Sequence, residues 1–266
     1  MISNYLSAER KASYERMKQS WLWKEGIGFF NAFVVAMVIR TFLYQPFSIP
    51  SGSMYPTLMV GDFLFVSKFC YGYSNHTFPF APNVINDRIM GQEPKIGDVV
   101  VFHNPKHTEA DGKPNPVDYI KRLVGKSGDR VQVKQGILHI NGKPVTLEKI
   151  EDYHMTDEEG RFLVIPQYIE TLPNGVKHRI LKARPMGSGR LDNTEEFVVP
   201  EGHYFLMGDN RDNSSDSRVS KAVGFVPSKY VIGRAEILFF STEAKWTQPW
   251  TWPFMARYGR VLNVIR

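Results

Sequence analysis

The chain has 266 residues and a formal charge of +6, from 33 Lys+Arg against 27 Asp+Glu. Hydrophobic residues make up 42% and charged residues 23%, which excludes a disordered or low-complexity chain. The single cysteine, Cys70, excludes an internal disulfide framework and a Cys-built zinc or iron–sulfur site. The length suits one large domain, or one domain carrying a subdomain. Basic residues are spread along the chain, so no nucleic-acid partner is expected.

From Gly26 to Ile39 the sequence GIGFFNAFVVAMVI is uncharged and strongly apolar. The run is shorter than the ~20 residues that cross a bilayer. Trp21, Leu22 and Trp23 before it and Thr41–Tyr44 after it make up the length, with Lys24 and Arg40 placed to snorkel. A buried core helix and a cleaved signal peptide compete with this reading. The signal peptide needs small residues after the apolar run, where Arg40-Thr41-Phe42-Leu43-Tyr44 stands instead. The expected element is an uncleaved single-span anchor over 21–44. Within residues 1–24, Arg10, Lys11, Arg16, Lys18 and Lys24 outnumber Glu9 and Glu15. The positive-inside rule then puts segment 1–20 in the cytoplasm and everything after the anchor outside.

Short β-type runs follow at Phe63–Val66, Val99–Phe102, Tyr119–Val124, Arg130–Val133, Ile137–Ile140, Phe197–Val199, His203–Met207 and Ala235–Phe240, separated by turn residues. Gln132–Lys143 reads as a hairpin with Asn141-Gly142 at a turn. Helical periods are scarce, so the expected class is mainly β. An antiparallel β domain spans 45–131 and 204–266, with 70–95 as an extended ribbon or loop. A β-rich subdomain at 132–203 is inserted into it. Near the end, Trp246, Trp250, Trp252 and Phe254 stand among basic residues, which suits either core packing or an interfacial membrane patch.

Common catalytic motifs fail. Gly125-Lys126-Ser127 resembles the end of a phosphate loop, but Ile120 stands where the first glycine belongs. No G-x-S-x-G elbow occurs. His103 and His107 are separated by Pro105 and share no helical face. Asp209–Asn213 lacks the spacing and glycine of a calcium loop.

Three segments remain. In the first, Pro50 and Pro56 bracket Ser51-Gly52-Ser53 and stiffen the chain, while Gly52 lets it turn between two hydroxyls. A rigid serine with free neighbouring amides suits an acyl-transfer nucleophile; a Ser/Pro linker has the same composition. In the second, Asp118–Gly125, alternation puts Tyr119, Lys121 and Leu123 on one face and Ile120, Arg122 and Val124 on the other. The pattern does not choose which cation is buried, and surface lysines are common on edge strands. Arginine does not deprotonate, so only Lys121 can act as a base, with a pKa lowered from ~10.4 by about two or more. The third, Gly208 to Arg218, holds no aliphatic side chain before Val219 and reads as a solvated turn or as a polar brace.

Together these segments resemble the type I signal peptidases in their bacterial form. The resemblance rests on Ser51-Gly52-Ser53-Met54 with Pro56-Thr57-Leu58, then Gly61-Asp62, Gly97 to Phe102, Tyr119-Ile120-Lys121-Arg122 with Gly128-Asp129, and Gly208 to Arg218. It implies an endopeptidase that removes signal peptides from exported preproteins at the outer face of the cytoplasmic membrane, after an Ala-X-Ala-like site. It further implies Ser53 as nucleophile and Lys121 as general base. The Ser51 hydroxyl and the Ser53 amide would form the oxyanion hole, and Ser214 would hold the lysine amine. Arg122, Asp209, Asp216 and Arg218 would be structural. Phe47, Ile49, Met54, Leu58, Val101, Tyr119 and Ile120 would line pockets for small substrate side chains. The expected partners are signal peptides and the phospholipid membrane, with the protein monomeric and no metal or organic cofactor. Three departures stand out: one span where relatives of this size often have two, a longer segment at Val219–Val223, and no cysteine pair. Two alternatives are a Ser/Lys autoprotease of the repressor type and a non-enzymatic, membrane-anchored β-rich binding protein. Independently of the family, Ser53 follows Arg40 by 13 residues, a reach of at most about 45 Å from the anchor's end.

Overall fold

The computed structural model describes residues 10–14, 16, 21–78, 85, 88–108, 113, 115–156, 160–244 and 247–266. The chain divides into two compact units, Met1–Leu43 and Tyr44–Arg266.

In the first unit, helix α1 (Trp21–Val38) continues into a π-type turn, Ile39–Leu43. Its apolar residues occupy every side, with Phe29, Phe30, Phe33 and Val35 all exposed. A helix apolar all round is not built for one buried face. Trp23–Leu43 spans 21 residues at a mean hydropathy of 1.8, long and apolar enough to cross a membrane. Glu9, Glu15 and Lys18, which enter the charge-based orientation, lie outside the described residues.

The second unit is mainly β. Its main sheet has seven antiparallel strands, in the order β1 (Tyr44–Ser48), β2 (Asp62–Ser67), β16 (Val231–Ser241), β3 (Val99–Asn104), β4 (Val117–Gly125), β14 (His203–Met207), β15 (Val226–Pro227). Nine strands come between β4 and β14. β5 (Arg130–Lys134), β6 (Ile137–Ile140), β7 (Lys143–Pro144) and β13 (Phe197–Val198) form one sheet. β8 (Thr146–Lys149), β11 (Gln167–Thr171) and β12 (Lys177–Leu181) form another, and β9 (Tyr153–Thr156) pairs with β10 (Phe162–Ile165).

Alternation explains β2. Leu64 and Val66 are fully buried in one core cluster, each burial worth about 1.5–3 kcal/mol. Phe63 and Phe65 point the other way and meet Phe239, Phe240 and Trp252. The aromatics near the end of the chain therefore divide. Trp252 packs on Phe63 and Phe240, while Trp250 and Phe254 stay 69% and 89% exposed. Trp246 lies outside the described residues.

The hairpin around Gln132–Lys143 has two turns. One is at Gln135-Gly136 and the other at Asn141-Gly142, with positive φ at all four residues. β1 begins at Tyr44, a residue read from sequence as the end of the span. Pro46 hid this strand. Proline is tolerated here because β1 is an edge strand that pairs with β2 alone. β12 was equally obscure: Lys177 and Arg179 are exposed, but the position between them buries His178 where an apolar residue would have signalled a strand. Within 70–95, residues 79–84 and 86–87 are outside the described set; Tyr73 and Ile89 pair across it.

Candidate active site

Ser53 sits in a single 3-10 turn, Gly52–Met54, between β1 and β2. The turn is pinned by its apolar neighbours, since Met54 and Leu58 are both fully buried in the cluster that holds Leu64 and Val66. Any side chain at Gly52 would require the Tyr55 ring to move. A Cβ there would lie 2.6 Å from a ring carbon of Tyr55. Ser53 is 9% exposed, and Ser51 is exposed beside it.

β4 delivers both cations of Lys121-Arg122, and the structure buries both, Lys121 to 4% exposure and Arg122 completely. Their surroundings differ. The Arg122 guanidinium donates to Asp209 through Nε at 2.8 Å and Nη2 at 2.7 Å, and to Gly97 O through Nη1 at 2.7 Å. Lys121 forms no ion pair among the described residues. Its Nζ lies 2.7 Å from Ser53 Oγ, donates to Ile120 O at 2.8 Å, and stands 5.2 Å from the Tyr119 ring centroid. Burial disfavours the ammonium and pulls the Lys121 pKa from 10.5 down to about 8, against the opposing pull of Asp216 and Asp209.

The polar loop after β14 braces this pair. Asp216 accepts from Arg218 Nε at 2.9 Å and Nη2 at 2.8 Å, and from the Gly208 N–H at 3.0 Å. Gly208 admits no side chain, because a Cβ would sit 2.2 Å from Ser214 Oγ and 2.6 Å from Ser53 O. Ser214 is buried here, but no hydrogen bond joins its hydroxyl to Lys121. That hydroxyl is near enough to Asp216 to help hold the carboxyl's pKa down, yet makes no bond of good geometry. The longer segment Val219–Val223 folds back as a turn and buries Val223 in the core.

Behind the loop lies a buried charged layer that sequence reading missed. Arg211 pairs with Glu170, and Lys182 with Asp192 and Asp212. His178 sits 3.8 Å from both Glu170 and Asp209, with neither ring nitrogen hydrogen-bonded. Glu170 and Asp209 are held below the usual carboxylate range by their arginine partners, which outweigh the cost of burial. Burial and the nearby Arg122 push His178 down to about 4.

An open cleft of about 480 Å³ adjoins Ser53 and Lys121, lined also by Ser51, His107, Asp118, Tyr119 and Ile120 among others. Of the seven expected pocket residues, only Tyr119 and Ile120 line it. Ile49, Met54, Leu58 and Val101 have exposures of 3% or less in the core cluster against which Phe47 and Ile120 pack. These four pack into that core and do not line the cleft. No group of three or more His, Cys, Asp or Glu able to hold a metal occurs among the described residues.

Residues 22–240 match the family described as signal peptidase, peptidase S26. The chain belongs to that family. Signal peptidase I of Rickettsia akari is 40% identical over 239 residues, covering 86% of this chain and 82% of that protein. Its counterpart in Rickettsia canadensis is 41% identical over 224 residues, covering 81% and 79%. A solved signal peptidase I of Enterococcus faecalis is 24% identical over 54% of this chain and 97% of that chain, with a TM-score of 0.29, too low to bear on the site. Membership makes this chain a serine endopeptidase, a hydrolase of peptide bonds. Glu170, His178 and Lys182 of this signal peptidase left no mark in the sequence beyond the polarity of β11 and β12. The one available signal for Asn210 was the density of donors in its loop.

Proposed function

We propose that the protein cleaves N-terminal signal peptides from exported preproteins after an Ala-X-Ala-like site, with Ser53 as nucleophile and Lys121 as general base. The observation that carries this reading is the 2.7 Å approach of a buried, unpaired amine to Ser53 Oγ. The neutral Lys121 amine takes the hydroxyl proton as Oγ attacks the scissile carbonyl. The Ser53 amide and Ser51 hydroxyl stabilise the resulting oxyanion. Lys121 returns its proton to the leaving amine, then deprotonates the water that hydrolyses the acyl-enzyme. Tyr119 and Ile120 form the cleft wall that favours small side chains, since larger ones would overpack it. Trp23–Leu43 anchors a monomer in the cytoplasmic membrane, with the N-terminus inside and the β unit outside. The test is incubation of purified protein in detergent with an Ala-X-Ala preprotein. Wild type should release the mature product, while Ser53→Ala and Lys121→Ala should each lose activity by more than about 1,000-fold and stay folded. Wild-type turnover by either variant would refute the mechanism.

A further inference from the structure

Asn210 is 5% exposed and bonds twice to the turn that carries the serine. Its backbone N–H donates to Ser53 O at 3.1 Å, and its side-chain Nδ2 donates to Gly52 O at 3.0 Å. The second bond has a specific consequence. Gly52 C=O and Ser53 N–H belong to one planar peptide unit and point in opposite directions. The Gly52 oxygen also accepts from the Tyr55 N–H of its own turn at 3.2 Å; the shorter bond from Asn210, on a separate segment, adds a second hold that fixes the plane of that unit and therefore the direction of the Ser53 N–H. Donation to the carbonyl also polarises the amide and strengthens its N–H as a donor.

Asn210 is itself held from behind. Leu181 of β12 donates its N–H to Asp209 O at 2.9 Å and accepts from the Arg211 N–H at 3.0 Å. Asp209 is locked by the two-pronged Arg122 contact. Fixed bonds on both sides thus flank Asn210, and its side chain faces the serine turn.

We infer that Asn210 is a positioning residue that aims the Ser53 amide at the oxyanion formed during cleavage. The inference rests on the reading of Ser53 as the nucleophile. It gives Asn210 no contact with substrate and no part in the proton transfer, because Lys121 has its own partners in Ser53 and Ile120.

The test is steady-state cleavage of an Ala-X-Ala preprotein by the full chain in detergent, with rates expressed per folded molecule. Asn210→Ala should lower kcat by about 10- to 100-fold, with KM within about twofold of wild type and the pH midpoint unmoved. Asn210→Asp, nearly the same shape but presenting an acceptor to Gly52 O, should be slower than Asn210→Ala on the high-pH plateau. A residue that only fills space gives the opposite order. The inference fails if Asn210→Ala keeps kcat within twofold, or if Asn210→Asp is the faster of the two. Ser53→Ala, run alongside, separates the two levels. Its cleavage at the wild-type rate sinks the nucleophile assignment. A dead Ser53→Ala beside an unimpaired Asn210→Ala sinks the positioning role alone.

Discussion

At the scale of the residue, Lys121 suits the role of base proposed for it because it is buried without an ion-pair partner among the described residues. Arg122, its neighbour in sequence, is buried as deeply but neutralised by Asp209. An ammonium so paired would stay protonated and useless as a base. With its pKa near 8, the unpaired Lys121 amine is largely neutral only above that value. Below it, kcat/KM should fall about tenfold per pH unit, and the midpoint on a pH–rate curve should lie near 8. A flat profile between pH 6 and 9 would show that another group is the base. Sequence reading singled out Lys121 on chemical grounds, since only one of the two cations can deprotonate. It left burial open because alternation along one strand puts each cation on a two-sided apolar surface.

At the scale of the element, β11, β12 and the residue that follows β12 place Glu170, His178 and Lys182 beneath the loop that braces Ser53. Their charges are tolerable in the interior because each has partners from a different segment. His178 is the exception, lying near Glu170, Asp209, Arg122 and Arg211 without a hydrogen bond of its own. Its folded pKa, near 4, lies below the unfolded value of about 6.5. Between those values the unfolded chain binds the extra proton, so stability is full above about pH 6.5 and declines as pH falls. Lowering the pH from 7 to 5 should cost wild type about 2 kcal/mol more unfolding free energy than it costs His178→Asn. Equal losses in urea titrations at the two pH values would show that His178 is not held neutral. None of this was legible in Lys177-His178-Arg179, whose polarity resembles a surface loop until Ile180 and Leu181.

At the scale of the whole molecule, the chain is two compact units joined at Leu43–Tyr44. Because β1 starts at Tyr44 and pairs along its length with β2, the second unit contains every strand of its main sheet. A chain of residues 44–266 should therefore fold and cleave a short soluble Ala-X-Ala peptide within about threefold of the full-length rate. On a preprotein embedded in vesicles it should be slower by about 100-fold, because the tether no longer concentrates enzyme at the bilayer. Equal rates on the vesicle substrate would mean that Trp23–Leu43 has no role in presenting the site.

The apolar helix, the mainly β class and the residue types able to form a Ser/Lys pair are all legible in the amino-acid order, because they depend on local pattern and on side-chain chemistry. Tertiary structure alone decided that Lys121 reaches Ser53 across 68 residues of chain, that both cations are buried, and that Asn210 grips the serine turn. The reason is physical. Whether a charge or an amide can be buried depends on partners brought from distant segments, and no local pattern specifies those partners.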